Sequence, residues 1–441
     1  MPSDARRVAF TVVRRVFESG AYADRALPAE ADRAGLDARD RALATRLAYG
    51  TVQRKATLDH LLAGLAERPV ERLDPPVLAA ARLGLYQLLY LDGVPDRAAV
   101  AESVDLAKAV AGRRAAGLVN AVLRRAAREG RAALLAPLHD RDPAGAAVLY
   151  SAPAWLAEKW WGELGADAAR ELLAAANEPA ETAVRVNTLV TDRDALAGVL
   201  DVPAAPDPLL PEALVLERAF DLRGSPLWER GAAWPQSRAA MAVARALAPR
   251  PGERVLDLCA APGGKATHLA ALSADRAEIV AVERHPGRAN ALRAACARLR
   301  AHSVRVDVAD AAVARSDGPF DRVLVDPPCS GLGTLSAHPD LRWRVTPEAV
   351  DELAALQARI LAAAADATAP GGTLVYATCT ISAQENDDVI ANLMRSGRDF
   401  DVDDLRDDFP TWHHPTVLQY LLTLPSRDRT AGFFVARLRR R

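Results

Sequence analysis

Apolar residues recur at helical spacing through the first third of the chain. Val8, Val12, Val13 and Val16 form one stripe, which Gly20 closes as a predicted C-cap. Further helical patterns follow, with turn signals between them, in Asp40–Tyr49, Leu58–Ala66, Pro76–Leu91, Ala98–Ala111 and Ala115–Ala127. We therefore expect residues 1–138 to form an all-α bundle.

The middle of the chain has a looser pattern. Asp140–Gly145 predicts a linker, and helical spacing returns in Ala154–Leu164 and Asp167–Ala176. Ala183–Val190 has the composition of a strand. Four prolines then crowd one short stretch and predict a loop: Pro203, Pro206, Pro208 and Pro211. We expect residues 139–232 to hold a linker and a small mixed α+β subdomain.

Short apolar runs alternate with helical patterns from about Gly231 onward. The predicted strands are Arg254–Leu258, Glu278–Val282, Ser303–Val308, Arg322–Val325 and Thr373–Ala377, and the predicted helices are Lys265–Leu272, Pro286–Leu299 and Pro347–Ala367. This alternation predicts a doubly wound, Rossmann-like parallel sheet over residues 233–441. Because such sheets bind ligands outside the carboxyl ends of their strands, the chemistry is expected there.

Composition and charge narrow the class of protein. The 441 residues are half apolar, without an apolar leader or a membrane-length apolar run, so we expect a soluble, cytoplasmic protein of two or three domains that does not bind a membrane. The formal net charge of −1 conceals an asymmetry, because residues 1–150 contain 23 basic and 18 acidic side chains. This excess indicates an anionic partner for the N-terminal part.

The four cysteines do not form a metal-binding pattern. Cys259, Cys296, Cys329 and Cys379 lie far apart without a C-x-x-C pair, which argues against a zinc ribbon, and we expect no metal. Three of them follow predicted strands, whereas Cys296 falls inside a predicted helix as core or surface filler. Asp326 lies three residues before Cys329. A thiol with an acid at such a rim indicates nucleophilic chemistry, although spacing alone does not name the reaction.

A tight loop of small residues follows the first strand of this sheet. The sequence from Asp257 to Lys265 is DLCAAPGGK, which differs from a Walker A loop in lacking its first glycine and the Ser or Thr after the lysine. Glu283 lies nineteen residues beyond Gly264, where a doubly wound fold places an acid against ribose hydroxyls. The two features favour an adenosine-containing ligand; an ordinary strand–helix turn with an exposed Glu is the alternative.

Several motifs, in this order, resemble the RNA (cytosine-5)-methyltransferases of the RsmB/NOP2/Sun family. They are DLCAAPGGK at 257–265, DPPCSGLG at 326–333 and TCT at 378–380, followed by Glu385-Asn386. The resemblance extends to the tripeptides Arg185-Val186-Asn187, His338-Pro339-Asp340 and Gly432-Phe433-Phe434. The N-terminal segment resembles a NusB-like RNA-binding domain, notably in Arg6-Arg7 and Ala48-Tyr49-Gly50-Thr51-Val52.

The resemblance implies an α/β methyltransferase domain with S-adenosyl-L-methionine as cofactor. In the family pattern Glu283 would hold the ribose hydroxyls, Asp310 would lie beside the adenine, and Asp326 would lie between cofactor and substrate. Cys379 matches the family nucleophile and Cys329 the cysteine that assists product release. The loop that would line the methionine and ribose comprises Cys259, Ala260, Ala261, Pro262, Gly263, Gly264 and Lys265.

The implied function is methylation of C5 of a cytosine in 16S (small-subunit) ribosomal RNA through a covalent bond from Cys379 to C6. We expect a monomer. Three alternatives stay open: a non-catalytic RNA-binding assembly factor, methylation of another RNA such as transfer RNA, and Cys329 as the nucleophile.

A cluster of arginines near the end of the helical segment is the candidate contact with RNA. Arg124, Arg128 and Arg131 are spaced to share a helical face. A solvated basic surface is the alternative for such a face, and a NusB-like fold favours phosphate binding.

Overall fold

The computed structural model describes residues 2–441, and the chain divides into two compact units. The first unit contains the described residues up to Glu178 together with Leu335–Arg344. The second contains Pro179–Thr334 and Val345–Arg441. The chain therefore passes from one unit to the other three times.

The first unit consists of helices joined by short connections, and the predicted all-α architecture is confirmed. Its helices are α1 (Asp4–Ser19), α2 (Ala23–Arg33), α3 (Ala38–Gln53), α4 (Lys55–Ala66), α5 (Pro75–Tyr90), α6 (Asp96–Glu129), α7 (Arg131–Leu135), α8 (Pro143–Leu149), α9 (Ala154–Leu164) and α10 (Ala166–Ala175). A 3-10 turn at Val70–Arg72 joins α4 to α5. The segment Leu335–Arg344 adds one short helix, Leu341–Arg344, which is α16 in chain order.

Two local features differ from the sequence pattern. Helix α6 covers both predicted helices of its region, and they meet at Gly112, whose φ of 79° and ψ of −171° are not helical. The stretch predicted as a linker, Asp140–Gly145, instead begins α8, because Asp142 caps that helix by accepting the Gly145 N–H at 2.7 Å. The backbone amides at the start of this helix thus have a side-chain partner that spacing alone did not reveal.

Helix packing in the first unit follows the apolar stripes. The predicted α1 stripe is buried in a core that draws on α1 to α7. Helix α3 meets α5 where Gly50 faces Tyr86, and a Cβ at Gly50 would lie only 2.0 Å from the Tyr86 ring. A larger residue at this crossing would therefore push the two helices apart.

Arg342 fixes α16 inside the first unit. Its side chain is 1% exposed and donates hydrogen bonds to the carbonyl oxygens of Ser151 (2.9 Å) and Ala176 (2.8 Å) and to Asn177 Oδ1 (3.0 Å). The next residue, Trp343, donates its ring N–H to the carbonyl of Val52 at 2.7 Å. Because buried carbonyls need donors, the guanidinium satisfies groups that the α8–α10 region leaves unpaired.

The second unit begins with a small antiparallel sheet, so the predicted α+β subdomain is confirmed. Its strand order is β2-β3-β1-β4, and α11 (Arg193–Ala197) and α12 (Pro226–Glu229) connect the strands. The strands are β1 (Ala183–Val186), β2 (Ala204–Pro206), β3 (Ala213–Leu216) and β4 (Ala233–Pro235). Strand β1 ends four residues before the predicted end at Val190.

A large sheet follows. Its strands are β5 (Arg254–Leu258), β6 (Glu278–Glu283), β7 (Val304–Val308), β8 (Phe320–Val325), β9 (Thr368–Thr378), β10 (Phe400–Asp403), β11 (Leu421–Thr423) and β12 (Phe433–Arg440). The helices of this part are α13 (Arg238–Leu247), α14 (Gly264–Leu272), α15 (Pro286–Arg298), α17 (Pro347–Ala367), α18 (Asp387–Arg395) and α19 (Pro425–Asp428). Each predicted strand is present, and the α/β class is confirmed.

The sheet is mixed rather than wholly parallel. Its order is β10-β12-β9-β8-β5-β6-β7, with β11 paired to β12. Strands β5 to β9 pair in parallel, whereas β12 is antiparallel to β9 and to β10. The expectation of a parallel sheet therefore fails at this edge.

The strand order reverses beside β5. The chain runs outward from β5 through β6 to β7, then returns to β8 on the other side of β5. The crossover connections therefore diverge between β5 and β8 and leave a crevice at the carboxyl ends of these strands. The loops that begin at Cys259 and Asp326 leave the sheet at this point.

Candidate active site

Three strand ends bring the predicted site residues to one edge of the sheet. Strand β5 ends at Leu258, β8 at Val325 and β9 at Thr378, and these strands are neighbours in the order β9-β8-β5. The loop of small residues, the Asp326–Cys329 loop and Cys379 therefore begin side by side.

The loop of small residues after β5, residues 259–265, is called the Gly loop below. Its backbone is strained and leaves no room for a side chain at Gly263. Cys259 has a φ of +66° and Gly263 a φ of +108°. A Cβ at Gly263 would lie 2.8 Å from Leu292 Cδ1, so both the conformation and the space require glycine. Helix α14 begins at Gly264 without a side-chain cap, so the first N–H groups of this helix have no partner within it.

Arg185, part of the Arg185-Val186-Asn187 motif, holds the Gly loop from below. Its guanidinium is 1% exposed and donates to the carbonyl of Gly264, to Thr267 Oγ1 (2.9 Å) and to Gln236 Oε1 (2.7 Å). Burial lowers the pKa of Arg185 to about 9. This value still lies above neutral pH, and the guanidinium group therefore stays charged there. The small antiparallel sheet thus supplies the residue that fixes the first turn of α14.

Two acids lie at or just beyond the ends of strands β6 and β7. Glu283 is the last residue of β6, is 3% exposed, and accepts the N–H of His285 at 2.8 Å. Arg288 lies 3.5 Å from its other oxygen. Asp310 follows β7, is partly exposed, and accepts the N–H of Ala312 at 3.0 Å. Both carboxylates lie on the β6–β7 side of the Gly loop.

Lys265 and Asp326 form an ion pair across the crevice. Lys265 Nζ lies 2.7 Å from Asp326 Oδ2 and 5.3 Å from the centroid of the Phe433 ring. Burial acts to lower the pKa of Lys265, but the charge and hydrogen bond of Asp326 outweigh it, and the pKa is raised. The ammonium group is therefore charged throughout the neutral range.

Asp257, inside β5, is a buried acid that sequence reasoning did not single out. It is 0% exposed, and within residues 2–441 neither carboxyl oxygen has a hydrogen-bond partner. Burial and the charge of Asp326 raise the pKa of Asp257 well above its ordinary value. Nothing in the spacing of the strand distinguishes this position, because the signal is the absence of a partner in three dimensions.

The two loop thiols are in contact. Cys329 Sγ lies 3.2 Å from Cys379 Sγ, and both side chains are partly exposed. This contact lowers the pKa of Cys379 against the opposing effects of burial and the Asp326 charge, and Lys265 also lowers it. The same contact, with burial, raises the pKa of Cys329 well above its ordinary value. Of the two thiols, Cys379 therefore ionises more readily than Cys329.

The other two cysteines have raised pKa values. Burial and three nearby acids raise the pKa of Cys259 to about 12. Cys296 lies on α15 in the core, where burial raises its pKa to about 12 as well. Of the four cysteines, Cys379 is therefore the one whose pKa is lowered.

Hydrogen bonds from the start of α18 and from the Cys329 loop bracket Cys379. Asn386 Oδ1 accepts the Thr378 hydroxyl at 2.6 Å, and its Nδ2 donates to the Thr380 carbonyl at 3.1 Å. The N–H of Gly333 donates to the Cys379 carbonyl at 3.0 Å. Residues on both sides of the thiol are therefore held, and the loop that contains Cys329 contributes one of the bonds.

The arginine cluster is only partly as predicted. Arg124 and Arg128 are exposed on α6 and border a cavity of about 660 Å³ with Arg97 and Asp96, and within residues 2–441 neither makes an ion pair. Arg131 lies beyond Gly130, whose φ of 80° ends the helix, and pairs with Asp92 at 3.6 Å. The prediction of one shared helical face is wrong for Arg131, because Gly130 redirects the chain.

Two kinds of feature are absent from residues 2–441. No helix there has the length and apolar character needed to cross a membrane. In the same residues, no group of three or more His, Cys, Asp or Glu side chains is arranged to hold a metal ion.

Models of three protein families match the chain. The family described as 16S rRNA methyltransferase RsmB/F matches residues 244–439. The NusB family matches residues 3–128, and the ferredoxin-like domain of RsmF/B-like methyltransferases matches residues 152–223. The three matches follow one another along the chain in the order of the helical unit, the small sheet and the large sheet.

Named relatives and a solved structure cover nearly the whole chain. A Synechocystis protein named probable ribosomal RNA small subunit methyltransferase B is 36% identical over 99% of both chains. Ribosomal RNA small subunit methyltransferase B of Thermus thermophilus is 36% identical over 91% of this chain and 89% of its own. The crystal structure of PH0851 superposes with a TM-score of 0.84 at 25% identity over 99% of each chain.

A further structure shares the fold of about two thirds of the chain. NSun6 from Pyrococcus horikoshii, solved with SFG, has a TM-score of 0.61 at 22% identity and covers 65% of this chain and 98% of its own. Identity and coverage of the ribosomal relatives, together with the matched family models, decide the assignment. The chain belongs to the RsmB/F family of 16S rRNA methyltransferases.

Proposed function

We propose that this protein methylates C5 of a cytosine in 16S ribosomal RNA, with S-adenosyl-L-methionine as methyl donor. The observation that carries the proposal is the 3.2 Å contact between Cys329 and Cys379, with the pKa of Cys379 lowered and that of Cys329 raised. Such a pair supplies a nucleophile and a proton donor at one place. The names of the relatives support the small-subunit RNA as substrate.

The residues around the Gly loop fit S-adenosyl-L-methionine. Gly263, with its φ of +108°, allows the tight turn that such a cofactor loop needs, and Glu283 keeps a buried carboxylate at the ribose position of such folds. In this proposal residues 259–265 surround the methionine and ribose, and Asp310 lies beside the adenine. When bound, the cofactor supplies an electrophilic methyl group on a sulfonium sulfur.

The thiolate addresses the low nucleophilicity of cytosine C5. Cys379 adds to C6, and the electron pair of the C5–C6 double bond makes C5 an enamine-like carbon. Asp326, held by Lys265, shares a proton with N3 or transfers one to it, and so stabilises the negative charge that develops on the ring. Because the thiolate approaches the face of the ring, the target base has to be unstacked or flipped out of a helix.

Product release reverses the addition. Once C5 has gained its methyl group, a base removes the C5 proton, the double bond re-forms, and Cys379 leaves as a thiolate. In this proposal the Cys329 thiol, in contact with Cys379, assists that release. The alternative in which Cys329 is the nucleophile is disfavoured, because its raised pKa keeps it protonated.

The helical residues 1–138 are proposed to bind RNA through Arg124, Arg128 and Arg131. Exposed guanidinium groups suit phosphate, and the segment carries the basic excess of the chain. Residues 139–232 then form the small subdomain and residues 233–441 the methyltransferase domain of a cytoplasmic, monomeric enzyme that uses no metal.

A methylation assay with thiol variants tests the proposal. Purified protein and its Cys379→Ala, Cys329→Ala and Cys296→Ala variants are incubated with labelled S-adenosyl-L-methionine and small-subunit RNA. We expect no transfer by Cys379→Ala, a covalent protein–RNA adduct that accumulates with Cys329→Ala, and normal transfer by Cys296→Ala.

Other outcomes separate the alternatives. Activity without Cys379 would overturn the assignment of the nucleophile. Activity of the wild type on transfer RNA but not on small-subunit RNA would overturn the substrate, and inactivity on every RNA would favour a non-catalytic assembly factor.

A further inference from the structure

The carboxyl group of Glu385 lies between the two cysteine loops and is completely buried. Its Oε1 accepts the backbone N–H of Ser330 at 2.8 Å, and its Oε2 accepts the hydroxyl of the same residue. Ser330 is the residue after Cys329. One carboxylate therefore fixes both the backbone and the side chain next to that thiol.

The second cysteine loop is joined through the same serine. The Ser330 and Thr380 hydroxyls lie 2.8 Å apart, and both residues are buried. Because the single hydroxyl proton of Ser330 is donated to Glu385, its oxygen accepts the proton of Thr380. Thr380 is the residue after Cys379. A continuous hydrogen-bond chain thus links the neighbours of the two thiols to one carboxylate.

Glu385 is itself held from two other elements. Gln357 of α17 donates from Nε2 to Oε1 of Glu385 at 3.0 Å and to the Pro328 carbonyl at 2.9 Å. Tyr376 of β9 donates its hydroxyl to the backbone carbonyl of Glu385 at 2.6 Å. The carboxylate partners found within residues 2–441 are thus the N–H and O–H donors of residues around the thiols.

A carboxylate is the side chain that this arrangement requires. Ser330 presents a donor to each of the two oxygens, and Gln357 presents a third. An amide at position 385 would accept on one side only and would place an NH₂ group against a donor on the other. Replacing Glu385 by Gln therefore keeps the volume and breaks at least one bond in the buried chain.

We propose that Glu385 is a positioning residue that sets the separation of the Cys329 and Cys379 sulfur atoms. The effect of this separation on catalysis rests on the proposed function, because there Cys379 attacks the base and Cys329 assists release of the product. The geometric part stands on the thiols alone and is measurable without RNA.

Cross-linking of the two thiols tests the geometry. Dibromobimane, a short reagent with two alkylating groups, becomes fluorescent when both groups have reacted. In the full-length wild type we expect rapid formation of a Cys329–Cys379 cross-link, and none in Cys329→Ser. In Glu385→Gln we expect the rate of cross-linking to fall about tenfold or more. Gln384→Ala is the matched control, because Gln384 precedes Glu385 and bonds to Asp351 outside the chain of contacts.

A milder variant guards against misfolding of Glu385→Gln. Ser330→Ala removes the hydroxyl that joins Glu385 to Thr380 and keeps the backbone bond to Glu385. We expect slower cross-linking in this variant at an unchanged circular dichroism spectrum. Cross-linking at the wild-type rate in folded Ser330→Ala and Glu385→Gln would overturn the proposal.

Kinetics then separate positioning from binding. For Glu385→Gln we expect kcat of RNA methylation to fall about 100-fold with the KM for RNA and cofactor unchanged, and Glu385→Asp to recover part of it. A rise in KM at constant kcat would overturn the positioning role. If the wild type cross-links as expected and methylates no RNA, the proposed function fails while the result on Glu385 stands.

Discussion

Lys265 Nζ and Asp326 Oδ2 lie 2.7 Å apart, although 61 positions separate the two residues in the chain. The contact ties the first turn of α14 to the loop after β8. Asp326 lies only three residues before Cys329. The Lys265 ammonium group therefore holds a carboxylate in place close to that thiol. Removal of either partner takes this contact away from the other.

Substitution of Lys265 by Met should lower kcat. The Asp326 carboxylate would lose its cation and its orientation toward the substrate, and we expect kcat for RNA methylation to fall about 100-fold. Lys265→Arg should keep part of the activity, because the charge remains. Equal kcat for Lys265→Met and the wild type in single-turnover assays would contradict the role of the pair.

The same pair predicts a pH dependence of stability. The pKa of Lys265 is raised above its ordinary value, so its stabilising contribution is fully present below the pKa of an unfolded lysine and is lost as the pH rises through the raised value. We expect the difference in unfolding free energy between wild type and Lys265→Met to be constant from neutral pH to about pH 10. Urea titrations at several pH values measure it, and a difference that already shrinks near pH 7 would contradict a raised pKa.

Alkylation should show which thiol is ionised. Because contact with Cys329 lowers the pKa of Cys379, the pH midpoint of iodoacetamide labelling at Cys379 should lie below that of an ordinary cysteine and should rise in Cys329→Ala. Cys259, with a pKa of about 12, is the internal reference and should label slowly. Mass spectrometry of the labelled peptides measures labelling at Cys259, Cys329 and Cys379. An unchanged Cys379 midpoint in Cys329→Ala would refute the role of Cys329 in lowering the pKa of Cys379.

Gly263→Ala should weaken cofactor binding. The backbone there has a φ of +108°, and the new Cβ would meet Leu292 at 2.8 Å, so the loop has to move. We expect Kd for S-adenosyl-L-methionine, measured by calorimetry, to rise about tenfold or more, since such backbone strain costs about 1–3 kcal/mol. Gly287→Ala is the control, because a Cβ added at Gly287 would have no atom within 4 Å. Similar Kd values for the two variants would contradict a role of Gly263 in cofactor binding.

Paired and unpaired arginines should differ in RNA binding. Arg124→Ala with Arg128→Ala should lower the salt dependence of RNA affinity by about one to two units of slope. Arg125→Ala should change it less, because Arg125 already pairs with Glu67 and Glu129. Filter binding over a range of salt concentrations measures the slope, and an identical slope in the double variant would exclude this surface.

Arg342→Ala should loosen the first unit locally. The change leaves the buried carbonyl of Ser151 without its donor and removes one of the two donors to the carbonyl of Ala176, at a cost of about 1–3 kcal/mol. Hydrogen exchange should become faster in peptides from residues 143–178 and stay unchanged in residues 254–283. Arg39→Ala, at an exposed position of the same unit, should leave both sets unchanged; uniform exchange in Arg342→Ala would show that the guanidinium contributes little.

Local sequence patterns predicted much of the fold. Arg254–Leu258 and the other apolar strands were found within a few residues of their predicted bounds, because buried parallel strands are continuous apolar runs. Strands β10, β11 and β12 were missed; β10 and β11 are short, and β10 alternates with charged residues. The position of β10 and β11 depends on pairing with β12 at the end of the chain, which no local pattern encodes.

The sequence predicted where the candidate site residues lie but not which residues hold them in place. The motifs placed Cys329, Cys379 and Asp326 at strand ends, and topology brought them together. By contrast, the roles of Arg185 and Glu385 depend on partners many positions away, at Gly264 and Ser330 for example. Only tertiary structure relates such positions, because hydrogen-bond partners across loops leave no periodic signal in the sequence.

The chain passes between its two units three times, and this limits which truncated fragments can contain a complete unit. A fragment that stops at Glu178 would lack Leu335–Arg344, and with it the guanidinium that occupies the α8–α10 region. No single cut in the linear sequence yields the helical unit whole. An excised version would need the ten residues of this segment grafted back, or a partner peptide of that sequence added in trans, to recover its complete core.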